Sequence, residues 1–317
     1  MSVPPGQMTP KEQRVVQSVR MGDFRFGFNL RTIHSRDSLT AKCRAAEQYG
    51  YDVVLLPDHL GRNLPAPFPT LVAAADATER LRVGTLVLNV GFWNPSLLAR
   101  EAATTDQLTG GRLELGLGAG HMKSEFDAAG IPWQPFGERT QRLASTIDAL
   151  DKLFADEHEG YETVQRPRPP LLIAGTGERV LRLAAERADI VGFGGILQAA
   201  GRPPGTFRIA TATEVEERVR FFRQQAGARV DEIESNILVQ RVEVTDDRHA
   251  AAEKFLAQYG PGLTVEEVLD APVLLIGSVP QIVEQLRERR ERFGFSYICV
   301  HEPYMEAFGP IVEALHA

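Results

Sequence analysis

From residue 24 onward, short apolar runs alternate with longer segments whose apolar positions recur at helical spacing. This pattern is expected when strands are buried on both faces of a parallel sheet. The runs fall at 24–30, 52–56, 82–88, 113–117, 171–174, 190–193, 238–244 and 297–300. Helices are predicted between them, among them 36–49, 95–108, 139–154 and 280–293. Asn94 before Pro95 reads as a helix start, while Gly50 and Gly110-Gly111 read as stops. Eight strand–helix units without a break in composition predict an α/β fold closed as a TIM (β/α)8 barrel rather than an open doubly wound sheet. Residues 194–214, rich in Gly and Pro, read as an insertion after the sixth strand and a candidate lid over the active face. Residues 1–22 read as an N-terminal arm, which leaves 23–317 as the barrel domain.

Composition narrows the function classes. The chain has 317 residues, 43% of them hydrophobic and 24% charged, as in an ordinary globular protein. Its net charge of -7 argues against a general nucleic-acid surface, which needs clustered Lys and Arg. Two cysteines, Cys43 and Cys299, are too few for a disulfide framework and lack metal-ligand spacing, so no metal is expected and a reducing cytoplasm is the simplest setting. No apolar run approaches the roughly 20 residues that span a bilayer, and the N-terminus lacks the apolar core of a secretory signal.

In a barrel of this kind active sites form just after the strands. The second strand is followed by Asp58-His59, a carboxylate beside an imidazole that titrates near neutrality. An Asp that caps a turn beside an exposed His explains the pair equally, and only the strand-end position favours chemistry. The fourth strand runs into Gly116-Leu117-Gly118-Ala119-Gly120-His121, where glycines would let a planar ring or phosphate approach the backbone. Its spacing is not the dinucleotide GxGxxG, and tight turns account for it as well. His121 and Glu125, four apart, read as a surface pair on one helical face rather than a metal site. The fifth strand leads through Ala174-Gly175-Thr176-Gly177 into a helix, whose N-terminus offers unpaired N–H groups to a phosphate. A plain turn capped by Thr176 is the competing account. Trp93 and the arginines Arg100, Arg112 and Arg139 are set aside as packing and surface pairing.

Together the segments GTLVLNVGFWNPSLLAREAATTDQLTGGRLELGLGAGHMKSEF and PPLLIAGTGERVLRLAAERADIVGF resemble the luciferase-like monooxygenase superfamily, in order, over about 24–302. The resemblance implies a bacterial-luciferase-like TIM barrel that binds a flavin-type cofactor at the C-terminal ends of its strands. Asp58-His59 is similar to the Asp-His pair of the branch that uses the deazaflavin coenzyme F420, with FMN as the alternative. It implies His59 and Asp58 as catalytic residues, and His121 joins them as a second histidine that could protonate the substrate or equally bind a cofactor phosphate. It further implies Asp58, Leu86, Val87, Gly118, Gly120, Ser124, Ala174, Gly175, Thr176 and Gly177 as the cofactor-binding set, with a non-prolyl cis peptide at Leu86-Val87. His121 stands where a sugar-phosphate dehydrogenase of the family has an acidic residue, which puts that substrate in doubt. The implied activity is hydride transfer between the deazaflavin and an activated C=C or C=N group of a small or peptide-like substrate, or the reverse dehydrogenation. An FMN-dependent monooxygenase and a non-catalytic flavin-binding protein are the competing readings. The resemblance also implies a homodimer.

Overall fold

The computed structural model describes residues 24–156, 158–259 and 262–316, so the predicted arm 1–22 lies outside the described residues. Eight parallel staves close into a barrel: β1 (Arg25–Asn29), β2 (Val53–Leu56), β3 (Arg82–Thr85, continued by Leu88–Asn89), β4 (Leu113–Gly118), β5 (Leu171–Ala174), β6 (Ile190–Phe193), β7 (Glu234–Val239) and β8 (Tyr297–His301). Each pairs with its sequence neighbours, and β8 pairs with both β7 and β1 to close the ring. The helix starts and stops follow the local signals. Asn94 accepts from the backbone N–H groups of Ser96 and Leu97, and Gly50 caps helix Arg36–Tyr49 in the left-handed conformation at φ 89.

Strand alternation sorts the side chains into two cores. Outward residues such as Phe26, Phe28, Val54, Leu56, Leu115 and Ile173 pack under the helices. Inward residues Val53, Leu55, Leu86, Leu172, Ile190, Tyr297 and Cys299 fill the barrel. Beneath this apolar layer lies an ionic floor. Arg25 binds Glu114 and donates through Nε to Glu234 at 3.1 Å, while Arg82 Nε reaches Glu114 at 2.8 Å. The Arg25 guanidinium also lies 3.9 Å over the Tyr297 ring. Burial raises the Glu114 carboxyl, but Arg25 and Arg82 outweigh it and hold its pKa below the usual value. For Glu234 burial wins, and its pKa is raised despite Arg25.

The seventh stave corrects the sequence expectation. The 238–244 run is two strands, because the barrel stave starts four residues earlier and ends at Val239. There Gln240 and Arg241 both donate their backbone N–H to the Val273 carbonyl, and Arg241–Val244 leaves the barrel to pair with Leu274–Gly277. The polar start Glu234-Ser235-Asn236 hid the stave because its inward side chains serve the floor rather than the apolar layer.

The insertion after β6 is an antiparallel hairpin of Ile196–Gln198 and Phe207–Ile209. It ends earlier than residue 214: Thr211 already caps helix Ala212–Ala226 in a reciprocal capping box with Glu214. No described helix is long and apolar enough to cross a membrane.

Candidate active site

Every residue singled out after β2, β3, β4 and β5 lies at the C-terminal mouth of the barrel, but the roles their contacts support differ. Asp58 is buried, and its Oδ2 accepts from the backbone N–H of Asn89 at 3.2 Å and from Trp93 Nε1 at 2.8 Å. Burial raises its pKa against those two donors and His59. Its own N–H reaches the Val87 carbonyl at 3.3 Å. Asp58 therefore ties the end of β2 to the break in β3, and Trp93, set aside on sequence grounds, is the side chain that holds it.

That break is the Leu86–Val87 peptide, which is cis, as the resemblance implied. Leu86 donates to the Leu56 carbonyl at 2.8 Å, so the segment stays registered on β2. The neighbouring glycines of β4 answer to it. A Cβ on Gly116 would lie 1.8 Å from the Thr85 carbonyl oxygen, and one on Gly118 would lie 2.5 Å from Val87 Cγ2. The space their side chains give up is taken by this chain, which is a packing cause the sequence left open. Gly120 follows at φ 75 and turns the chain toward His121.

His121 does not share a helical face with Glu125, contrary to the surface pair expected from their spacing. The helix starts later, as Lys123–Ala128 with an extended Met122 at its N-cap, so His121 lies outside it. Glu125 turns instead to His59, whose Nδ1 lies 2.8 Å from its Oε1. The His59 and His121 rings meet edge to face, with centroids 5.3 Å apart. Burial, then His59 and Arg139, push the His121 pKa down to about 4, although its outer edge is still solvent-exposed. Ser124 sits exposed on the first turn of the same short helix.

On β5, the Ala174 carbonyl lies 3.9 Å from where a Gly118 Cβ would stand, which brings the two glycine-containing segments to one side of the mouth. Gly175 donates to the Gly192 carbonyl at 3.1 Å. Gly177, not Thr176, is the N-cap of helix Glu178–Arg187, and no side chain caps it, so the turn capped by Thr176 is not formed. Its leading N–H groups keep their capacity for an anion. Of the arginines set aside, Arg112 spends its guanidinium on the carbonyls of Ala75, Thr78, Leu81 and Thr109, and Arg100 faces Glu101 at the surface. Arg139 stacks 3.6 Å over the Trp133 ring.

Sequence reasoning missed the opposite wall. His301 ends β8, in register with Asn29 at the end of β1, and alternation turns both into the barrel. Gln240 donates its amide to the carbonyls of Gly194 and Leu238, so its Oε1 faces His301 Nε2 at 3.3 Å and that nitrogen carries the proton. His301 Nδ1 and Asn29 Oδ1 are left as buried acceptors without a partner among the described residues. Burial and Arg31 lower the His301 pKa to about 4, which keeps the ring neutral. The available signal was position alone, since His301 is a polar residue at a strand end, like Asp58-His59.

Residues 24–297 match the family described as luciferase-like monooxygenase. The chain is similar to an F420-dependent glucose-6-phosphate dehydrogenase of Nakamurella multipartita, 29% identical over 228 residues that cover 66% of this chain and 64% of that protein. A protein of the same name from Intrasporangium calvum is 27% identical, covering 81% and 86%. Among solved structures, an F420-dependent secondary alcohol dehydrogenase in complex with an F420-acetone adduct superposes at a TM-score of 0.69 and 18% identity, covering 92% and 97%. A monooxygenase from Streptomyces bottropensis reaches the same TM-score at 22% identity, covering 92% and 100%; such likenesses speak for the fold alone.

Proposed function

Because the chain belongs to the luciferase-like monooxygenase family, we propose that it is an oxidoreductase that works with the deazaflavin coenzyme F420 on a small organic substrate. The observation that carries this reading is the contact between the His59 and His121 rings at the barrel mouth, beside the Leu86–Val87 break. It joins two groups able to handle a proton to the place where the fold presents a ligand. The relatives named as F420-dependent dehydrogenases support the choice of cofactor.

The mouth fits such a group. The buried acceptors Asn29 Oδ1 and His301 Nδ1 need N–H or O–H donors that the described residues do not supply, and the uncapped helix start at Gly177 suits a phosphate. When bound, a deazaflavin accepts or delivers a hydride and has no need of dioxygen. The protein's share is orientation and proton management. Ala174, Gly175, Thr176 and Gly177 hold the phosphate end. Leu86 and Val87 back the ring, and Gly118, Gly120 and Ser124 line the adjoining wall. Asp58 keeps the β2 and β3 ends together, and His59 exchanges a proton with the substrate. His121, held neutral, shapes the pocket beside it. A location in the cytoplasm accords with the two unpaired, buried thiols of Cys43 and Cys299, and a homodimer completes the reading.

Titration of the purified protein with coenzyme F420 and with FMN, followed by fluorescence, tests the cofactor. Anaerobic assay against a panel of alcohols and activated alkenes or imines tests the chemistry. Selective F420 binding with turnover in the absence of oxygen is expected. Tight FMN binding with oxygen-dependent product would overturn the reading in favour of a monooxygenase.

A further inference from the structure

Glu125 belongs to neither the catalytic nor the cofactor-binding set above, yet its carboxylate makes a close polar contact to His59. We propose that Glu125 is the positioning residue that holds the His59 proton on Nδ1, so that Nε2 presents a bare lone pair to a hydroxyl proton of the substrate. The proposal rests on His59 being the proton-handling residue of the oxidoreductase above, and its test separates the two.

The argument is one of donors and acceptors. An ionised carboxylate only accepts, so the 2.8 Å contact between Glu125 Oε1 and His59 Nδ1 requires the hydrogen to sit on Nδ1. A neutral ring with Nδ1–H has Nε2 as its only acceptor. The pair is shielded enough for the choice to matter, with side-chain exposures of 26% for His59 and 12% for Glu125. His121 limits the remaining freedom of the ring, because its own ring crosses that of His59 at 82°. Lys123 does not divert Glu125, since its ammonium is engaged by Asp127 at 2.7–2.8 Å on the other side of the short helix.

The proton balance then follows. A substrate O–H bond breaks, an Nε2–H bond forms, and the resulting imidazolium is matched by the Glu125 carboxylate. This arrangement favours oxidation of an alcohol, with the base in place before the hydride leaves carbon. The same residues return the proton in the reverse direction.

The test uses the full chain without cofactor, labelled with 15N-histidine, at about pH 9 where imidazole side chains are neutral. A His59→Gln spectrum assigns the His59 signals. Wild type and Glu125→Gln, whose amide oxygen still accepts, are expected to show protonated Nδ1 and bare Nε2. Glu125→Ala is expected to move the proton to Nε2. With F420 bound, Glu125→Ala should lower kcat by about 10–100-fold, a part of what a general base supplies, while F420 affinity changes less than about twofold. Glu125→Gln should lose less. A wild-type proton on Nε2, or an unchanged tautomer in Glu125→Ala, overturns the proposal. A tautomer that moves without any loss of turnover upholds Glu125 as the group that orients His59 and refutes the assignment of His59 as proton acceptor.

Discussion

Phe207, on the outgoing strand of the hairpin after β6, meets His121 with ring centroids 5.2 Å apart at 74°. The contact links the hairpin insertion after β6 to the histidine pair at the barrel mouth. The hairpin is also pinned by Gln198, whose amide donates to the carbonyls of Ala199, Arg202 and Pro203 and whose oxygen accepts from Gly205. Leu197 and Ile209 pack against the main core, so the hairpin is held at both its tip and its base.

Phe207→Ala should loosen the hairpin without unfolding the barrel. Loss of one edge-to-face contact is worth about 0.5–1.5 kcal/mol beyond area. Amide exchange across 196–209 is expected to quicken by about 2–10-fold while β1 to β8 keep their protection. Hydrogen exchange with mass spectrometry reads this directly. Unchanged exchange in the hairpin would mean that other contacts hold it.

Most of the barrel was legible because each of the other staves carries a short apolar run, undiluted in Leu171–Ala174 or Ile190–Phe193 and interrupted only by single polar residues such as Arg25, Arg82 and Glu114 elsewhere. The seventh stave was not, because Glu234 and Asn236 point inward to Arg25 and to the Tyr297 carbonyl, which are distant in sequence. The site shows the same division. Asp58, His59 and His121 stand out by residue type at strand ends. The Glu125–His59 pair spans 66 positions, and the competing local rule of four-residue spacing pointed to His121 instead. Tertiary partners of polar groups were the missing information throughout.

The ionic floor makes a graded prediction. Glu114 is 2% exposed at its side chain and serves both the buried Arg25 and the half-buried Arg82, so Glu114→Ala breaks both pairs, leaving Arg25 with Glu234 alone, and should cost about 3–5 kcal/mol. Glu234 is 21% exposed and has its pKa raised, so Glu234→Ala should cost less, about 1–2 kcal/mol. Urea unfolding of the two variants checks the order, and equal costs would show that the floor does not distinguish them.

Gly118 and Val87 should behave as a coupled pair. A Cβ at Gly118 would lie 2.5 Å from Val87 Cγ2, so Gly118→Ala should lose about 1–3 kcal/mol by overpacking. Val87→Ala removes the atom in the way, so the double variant should recover most of that loss, with a coupling energy of about 1 kcal/mol. Additive losses in thermal unfolding would mean that Gly118 is needed for something other than room for Val87.

His301 sets the expected response to acid. Its pKa falls to about 4 in the folded protein, through burial first and Arg31 second, from the ordinary histidine value of 6.5. Between those values the unfolded chain binds the proton more readily than the folded one, so stability rises with pH across the window. The His301 contribution is therefore intact above about pH 6.5 and is lost progressively as pH falls toward about 4, where the ring must charge beside Arg31. The physical cost is specific: protonation places a cation on a buried Nδ1 that meets no acceptor among the described residues. Allowing for the partly exposed ring, the loss should be on the order of 1–2 kcal/mol. His301→Gln removes the titration while keeping a polar side chain, so the difference in stability between wild type and variant should shrink from pH 7 to pH 4 by about that amount. His121 titrates in the same window in both proteins and cancels from the difference. A difference that stays flat with pH would show that His301 Nδ1 finds an acceptor or water in solution, and would weaken its standing as a buried acceptor waiting for a ligand.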